Sequence, residues 1–268
     1  MKFGLKVHHS DIASLMDMRP EALEFALFCG DMDGSWAKGI EFDGPVVLHM
    51  PEKFADGSLV DLASPEEGKR RDAVAILKRT IDLGAAMGAE SIICHPGGIR
   101  AKPEFVDQCP LLDSMHELIA YVRGTTRLLL ENMPDIYWYK GVLHSSCLFK
   151  HKDEISTILD ELSLGLCMDL CHAKLYCNSM GEDYLSYVTA LKPYIRHIHV
   201  SDARGSTEEG VQIGDGEVDF AALRKLLGDV GAAAVPEILD GHKDGGAGFR
   251  IAARRLEKIG FFNGDDRR

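Results

Sequence analysis

Eight short apolar runs recur along the chain, spaced by longer segments, and this alternation constrains the fold more than any other feature. The runs are "KFGLKV" (2–7), "ALEFALF" (22–28), "PVVLHM" (45–50), "ESIICH" (90–95), "RLLLEN" (127–132), "LGLCMD" (164–169), "IRHIHV" (195–200) and "AAVPEIL" (233–239). Most are apolar throughout rather than alternating, as strands of a parallel sheet covered on both faces should be. Most of the intervening segments carry helical spacing. "SPEEGKRRDAVAILKRTIDLGAAMGA" places Ser64 as N-cap and Pro65 at the first helical position, with Val74, Leu77, Ile81 and Ala85 on one face. "KDEISTILDEL", "EDYLSYVTALKPYI", "DFAALRKLLGDVG" and "FRIAARRLEKIG" read the same way, and "PLLDSMHELIAYVRG" more weakly. Residues 30–44 show no helical pattern. Eight strands alternating with helices in 268 residues predict one α/β domain, 1–268, folded as a (β/α)8 barrel. An open doubly wound sheet is the alternative. The "GDDRR" end reads as frayed.

Ionisable residues recur at the ends of the predicted strands. His49 ends the third, His95 the fourth, Glu131 the fifth and Asp169 the sixth, with His172 just beyond; His199 and Glu237 lie near the ends of the seventh and eighth. In a barrel these ends share one rim, where active sites are built. Carboxylates and imidazoles crowded out of water repel one another or lose hydration unless a cation joins them. Nitrogen and carboxylate ligands suit zinc, manganese or iron better than calcium. More than four ligands allows one or two ions per chain, the second through a bridging carboxylate.

The pieces "HMP", "CHPGG", "LLLENMP", "CMDLCHA", "HIHVSDARG", "GDGEVDF" and "VPEIL" fall in order along nearly the whole chain. Together they resemble the xylose-isomerase-like barrel superfamily, which includes endonuclease IV enzymes and many sugar isomerases and epimerases. In the endonuclease branch the resemblance implies one metal on His49, His95 and Glu131 and a second on Glu131, Asp169, His199 and Glu237. A third would use His172 with an acid and a histidine before the "GDG" turn, where this chain has Glu208 and Gly210; a strong ligand is lost there. In the isomerase and epimerase branch the resemblance implies a single metal on Glu131, Asp169, His199 and Glu237, with His172 and Arg204 holding the sugar.

Isomerisation suits the four-ligand set. A metal on a carbonyl and its neighbouring hydroxyl lowers the cost of removing the proton between them. Glu131 and Glu237 are then the catalytic pair, one removing the proton and the other returning it. Phosphodiester cleavage on DNA needs more cationic material. The net charge is −12, and the loops "CGDMDGSW" and "MPEKFADGS" carry Asp31, Asp33, Glu52 and Asp56 against Lys53 alone. The expected partner is therefore a small sugar-like molecule, with nucleic acid the weaker alternative. His49 and His95 remain as second-metal ligands or as hydrogen-bonding residues of the pocket.

Further segments bear on the pocket. Tyr137, Trp138 and Tyr139 lie in a long segment after the fifth strand and either stack on a sugar or fold back on the helices. "DGHKDGGAGF" follows the eighth strand, where barrels often bind phosphate. It adds His242 and Lys243 as substrate-binding candidates. His8 and His9 end the first strand, and alternation allows only one of them to face the pocket. His197 and Asp202 are expected behind the ligands rather than on the metal. In "LGLCMDLCHAKLYC" the cysteine spacing does not make a thiolate zinc site; Cys167 packs inward, and Cys171 lies in a loop between Asp169 and His172. Seven scattered cysteines, no signal-like start and no apolar run near membrane-spanning length predict a cytoplasmic protein with no membrane partner.

Overall fold

The computed structural model describes residues 1–122 and 126–262. The "GDDRR" end and the last two residues of "PLLDSMHELIAYVRG" lie outside the described residues.

All eight predicted strands form: β1 (Lys2–Val7), β2 (Ala22–Ala26), β3 (Val46–His49), β4 (Ser91–Cys94), β5 (Arg127–Glu131), β6 (Gly165–Asp169), β7 (Ile195–Val200) and β8 (Ala233–Pro236). They close into a parallel barrel in sequence order, with β8 returning to β1. The fold is a single (β/α)8 barrel, and the open sheet is excluded by the β1–β8 pairing. Helices α1 (Glu67–Met87), α2 (Cys109–Tyr121), α3 (Lys152–Leu162), α4 (Leu170–Met180), α5 (Tyr184–Leu191), α6 (Phe220–Leu227) and α7 (Lys243–Lys258) lie among the connections. Residues 30–44 contribute only 3-10 turns, at Cys29–Asp33 and Ser35–Gly39. No described helix is long and apolar enough to cross a membrane.

Several local expectations change. α1 starts at Glu67, not at Pro65; Ser64 is buried and its Oγ accepts from Glu66 N–H at 3.3 Å, closing the preceding turn instead of capping the helix. Cys171 lies in a helix, not a loop. Asp169 is the N-cap of α4, its Oδ1 accepting from His172 N–H at 2.6 Å. The aromatic segment is a hairpin, Ile136–Tyr139 with Val142–Ser146, which also pairs with Ile99–Arg100.

The parallel register sets two layers inside the barrel. Val47, Ile93, Leu129 and Cys167 form a buried apolar cluster in β3–β6. Two residues further along each strand stand His49, His95, Glu131 and Asp169, so the period of two places the polar set directly above the apolar one. Gly97 explains part of "CHPGG". Its φ is +87°, and a Cβ there would sit 2.1 Å from Asp61 Oδ1. That carboxylate accepts from Gly98 N–H at 2.9 Å and from Arg100 at 3.0 Å, which fixes the turn just after His95.

Candidate metal centre at the barrel mouth

Glu131, Asp169, His199 and Glu237 converge. One ligand atom from each lies within 4.8 Å of every other, and Glu131, Asp169 and His199 are at most 2% exposed. Register brings them together: Asp169 is opposite His199 across β6 and β7, and Glu237 follows β8 directly. Asn132 locks the β5 and β6 ends, its Oδ1 accepting from Asp169 N–H at 2.8 Å and its Nδ2 donating to Asp169 O at 3.0 Å.

The hydrogen bonds around His199 decide what this cluster needs. Glu24, on β2, is fully buried, and its Oε2 lies 2.7 Å from His197 Nε2 and 2.9 Å from His199 Nε2. An ionised carboxylate only accepts, so both imidazoles donate through Nε2. His199 Nδ1 is thereby turned toward Glu237 Oε2 at 2.9 Å, Glu131 Oε1 at 3.4 Å and Asp169 Oδ2 at 3.9 Å. His199 Nδ1 and Glu237 Oε2 are buried without a hydrogen-bond partner. Two lone pairs at that distance require a proton or a cation between them, and three carboxylates around one imidazole favour a divalent charge. The donor set of one nitrogen and three carboxylates fits zinc, manganese or a similar ion.

The electrostatics follow the same arrangement. Burial would favour neutral Glu131, but His199 and His95 outweigh it and hold the carboxyl well below the usual range. Glu237 is also lowered against its burial, by Lys6 and His199. Asp169 goes the other way, pushed up by burial and by the Glu131 and Glu237 charges. Burial works against His172⁺, yet Asp169, Glu131 and Glu209 raise its pKa to about 9. His172 Nδ1 lies 3.0 Å from Asn132 O and donates there, which leaves Nε2 toward the cleft.

A second group adjoins the first. His49 Nε2 and His95 Nε2 lie 3.2 and 3.4 Å from Glu131 Oε2, while Oε1 of the same carboxylate faces His199 and His172 at 3.4 Å. Glu52 joins His49 and His95 in a second cluster within ligand reach. Tyr137 is 6% exposed and donates to Glu52 Oε2 at 3.1 Å. The cleft above both groups has a volume of about 320 Å³. Its lining includes six carboxylates (Glu52, Glu131, Asp169, Glu209, Glu237, Asp240) and, among the described residues, no lysine or arginine.

Other predicted residues fall outside this cleft or only at its edge. His242 lines the rim and is exposed. Lys243 is exposed and pairs with Asp240 at 2.9 Å, outside the lining. Arg204 also points away: its guanidinium is half exposed and holds Glu208 at 2.9 Å and Asp215 O at 2.6 Å. The antiparallel ribbon Asp202–Arg204 with Glu208–Val211 alternates its faces. It therefore sends Glu208 outward to Arg204 and Glu209 inward, 3.9 Å from His172 Nε2. Of the three aromatics only Tyr137 lines the cleft; Trp138 is 46% exposed, and Tyr139 donates to Gly57 O at 2.5 Å. His8 and His9 both reach Asp31, at 3.3 and 3.0 Å, because β1 ends at Val7 and alternation no longer applies. Asp202 ties down the "GDG" turn, accepting from the N–H groups of Gly214, Gly216 and Val218 at 2.9 Å each.

Sequence reasoning passed over Glu24, Lys6 and Glu209, and read Glu52 only as a loop charge. Lys6 Nζ lies 2.7 Å from Glu237 Oε1 and 3.2 Å from Glu24 Oε1, with a side chain 13% exposed. For Glu24 and Lys6 the available signal was a charge inside an apolar run, since Glu and Lys are seldom buried unpaired.

Comparison with known proteins agrees with this fold. A "Probable endonuclease 4" of Aquifex aeolicus (strain VF5) is 24% identical over 216 residues, covering 76% of this chain and 73% of that one. Among solved structures, a D-tagatose 3-epimerase-like protein superposes with a TM-score of 0.68 at 22% identity, over 97% of this chain and 98% of the other. Endonuclease IV from Thermus thermophilus gives 0.67 at 17% identity, over 96% and 100%. The description "Xylose isomerase-like TIM barrel" matches residues 37–259, most of the chain and all but two of the barrel strands. The protein belongs to the xylose isomerase-like TIM barrel family.

Proposed function

We propose that the protein is a divalent-metal-dependent isomerase or epimerase of a small sugar or sugar derivative, with Glu131 and Glu237 as the proton-transferring pair. The observation that carries this reading is the convergence of Glu131, Asp169, His199 and Glu237 around the unpartnered His199 Nδ1 and Glu237 Oε2. A divalent ion held by these four side chains would supply the positive charge that acidifies a C–H between two substrate oxygens. Glu131 and Glu237 both line the cleft, and in this reading one takes the proton from the substrate carbon and the other returns it. Return to the opposite face inverts the centre; return to the neighbouring carbon moves the carbonyl. His172 Nε2, beside Glu209 at the cleft, is the donor proposed for a substrate hydroxyl, and Tyr137 closes one wall.

The size and charge of the cleft support a small polar substrate. About 320 Å³ is small-molecule size, and a lining without lysine or arginine among the described residues is poor for gripping phosphates. That argues equally against a phosphorylated sugar held by Lys243. The D-tagatose 3-epimerase-like relative supports the sugar reading by its name alone.

One observation favours a second reading, an endonuclease IV-like phosphodiesterase. Glu131 turns one oxygen to His49 and His95 and the other to His199, as a carboxylate bridging two ions would. The two readings separate in one experiment. Metal-loaded protein is incubated in deuterated water with a panel of ketoses and aldoses, and in parallel with an abasic-site duplex. Deuterium at a sugar carbon is expected; nicked DNA with no sugar labelled would replace the first reading by the second.

A further inference from the structure

Lys6 is a largely enclosed cation that the proposed proton transfer does not use. It stands opposite Glu24 in the β1–β2 register, and β1 lies between β2 and β8. Its ammonium joins two carboxylates, at 2.7 Å to Glu237 Oε1 and 3.2 Å to Glu24 Oε1. The remaining oxygens of those carboxylates meet the two ends of one imidazole: Glu24 Oε2 is 2.9 Å from His199 Nε2, and Glu237 Oε2 is 2.9 Å from His199 Nδ1. Lys6, Glu24, His199 and Glu237 thus close a ring. Two of its members, His199 and Glu237, face the metal centre, and the other two hold their far atoms.

We infer that Lys6 is a resident cation that shares Glu237 with the metal ion, a positioning residue that commits Oε1 of this glutamate and restrains the affinity of the centre. The inference rests on the reading of Glu131, Asp169, His199 and Glu237 as metal ligands. With Oε1 held by Lys6, Glu237 has Oε2 left for an ion. A fixed positive charge on a ligand carboxylate also opposes a second positive charge on the same group. Glu24 does the converse for His199, accepting its Nε2–H so that the Nδ1 lone pair faces the carboxylates.

The test is the dissociation constant of Mn²⁺, measured by chelator competition, so that no substrate is needed. Lys6→Met should bind Mn²⁺ about tenfold more tightly than the wild type, the scale on which groups behind a ligand act. Because that substitution leaves Glu24 charged and without its ammonium, folding is protected by a second comparison. Lys6→Met/Glu24→Gln should bind more tightly than Glu24→Gln by a similar factor. If Lys6 acts through Glu237, the gain shrinks to less than twofold when Lys6→Met is added to Glu237→Gln. Affinity that is unchanged or weakened in both of the first two comparisons overturns the inference, and a gain that persists in the Glu237→Gln background shows that Lys6 does not act through that ligand. A wild-type protein that binds no Mn²⁺ overturns the metal reading itself, a separate result from wild-type binding that Lys6→Met leaves untouched.

Discussion

The two halves of the barrel interior are built from opposite materials. On the β3–β6 side, Val47, Ile93, Leu129 and Cys167 fill the space below the site with buried apolar groups. On the β7–β8–β1–β2 side, Lys6, Glu24, His197 and His199 occupy the interior instead, bonded to one another and to Glu237. An apolar half needs only to fill its volume. A polar half at the same burial has to satisfy every group, because an uncompensated buried charge costs several kcal/mol. The difference teaches that His199 and Glu237 are held from behind by Glu24 and Lys6, whereas Glu131 and Asp169 stand on a packed apolar floor and are bonded from the side, by His49 and Asn132.

The largest break in this comparison is expected in activity. Glu131→Gln and Glu237→Gln should each lower kcat by about 10²–10⁴, while circular dichroism and urea unfolding report an intact fold. Next in size is Glu24→Ala, which leaves His197 and His199 without their acceptor and Lys6 with Glu237 alone. It should destabilise the protein by about 3–5 kcal/mol, read as a lower urea midpoint, and should weaken metal binding with it. Ile93→Val trims the apolar half and should cost about 1 kcal/mol with Mn²⁺ affinity unchanged. The contrast between those two variants sharpens the division between bonded and packed halves.

A pH experiment probes the rim between them. His172 has its pKa raised to about 9, with Asp169, Glu131 and Glu209 outweighing burial. An imidazolium favoured by folding contributes its full stability below its ordinary value of about 6.5 and loses it as pH rises through the folded value. In chelator-treated protein, the stability difference between wild type and His172→Asn should therefore be greatest below about pH 6.5 and fade by about pH 9. Smallest of all is Arg204→Ala. Its side chain is half exposed and paired with exposed Glu208, so stability should change by less than about 1 kcal/mol and kcat/KM by less than twofold.

The barrel was legible because parallel strands buried on both faces must be apolar throughout, and eight such runs are visible. The site was legible where an ionisable residue ended a run, as at His49, Glu131 and Asp169. It was not legible where the charge sat within a run. Glu24 in "ALEFALF" and Lys6 in "KFGLKV" are separated by eighteen residues, and only barrel closure puts β1 between β2 and β8. Glu209 was missed for a different reason, since the choice between Glu208 and Glu209 depends on which face of the 208–211 strand turns inward. Arg204 and Lys243 were assigned from position along the chain, and nearby acids had already claimed both. The reading of "LGLCMDLCHAKLYC" kept Asp169 and His172 but overlooked that Asp169 also caps α4, which fixes His172 one turn away.

The central claim is that the polar half of the barrel is organised around a divalent ion. Elemental analysis of protein dialysed against Mn²⁺ and then against buffer tests it directly, with Asp169→Asn and His199→Ala as controls. One retained ion per chain is expected in the wild type, and loss of that ion in both variants. A wild-type protein that retains none, with its fold intact, would contradict it.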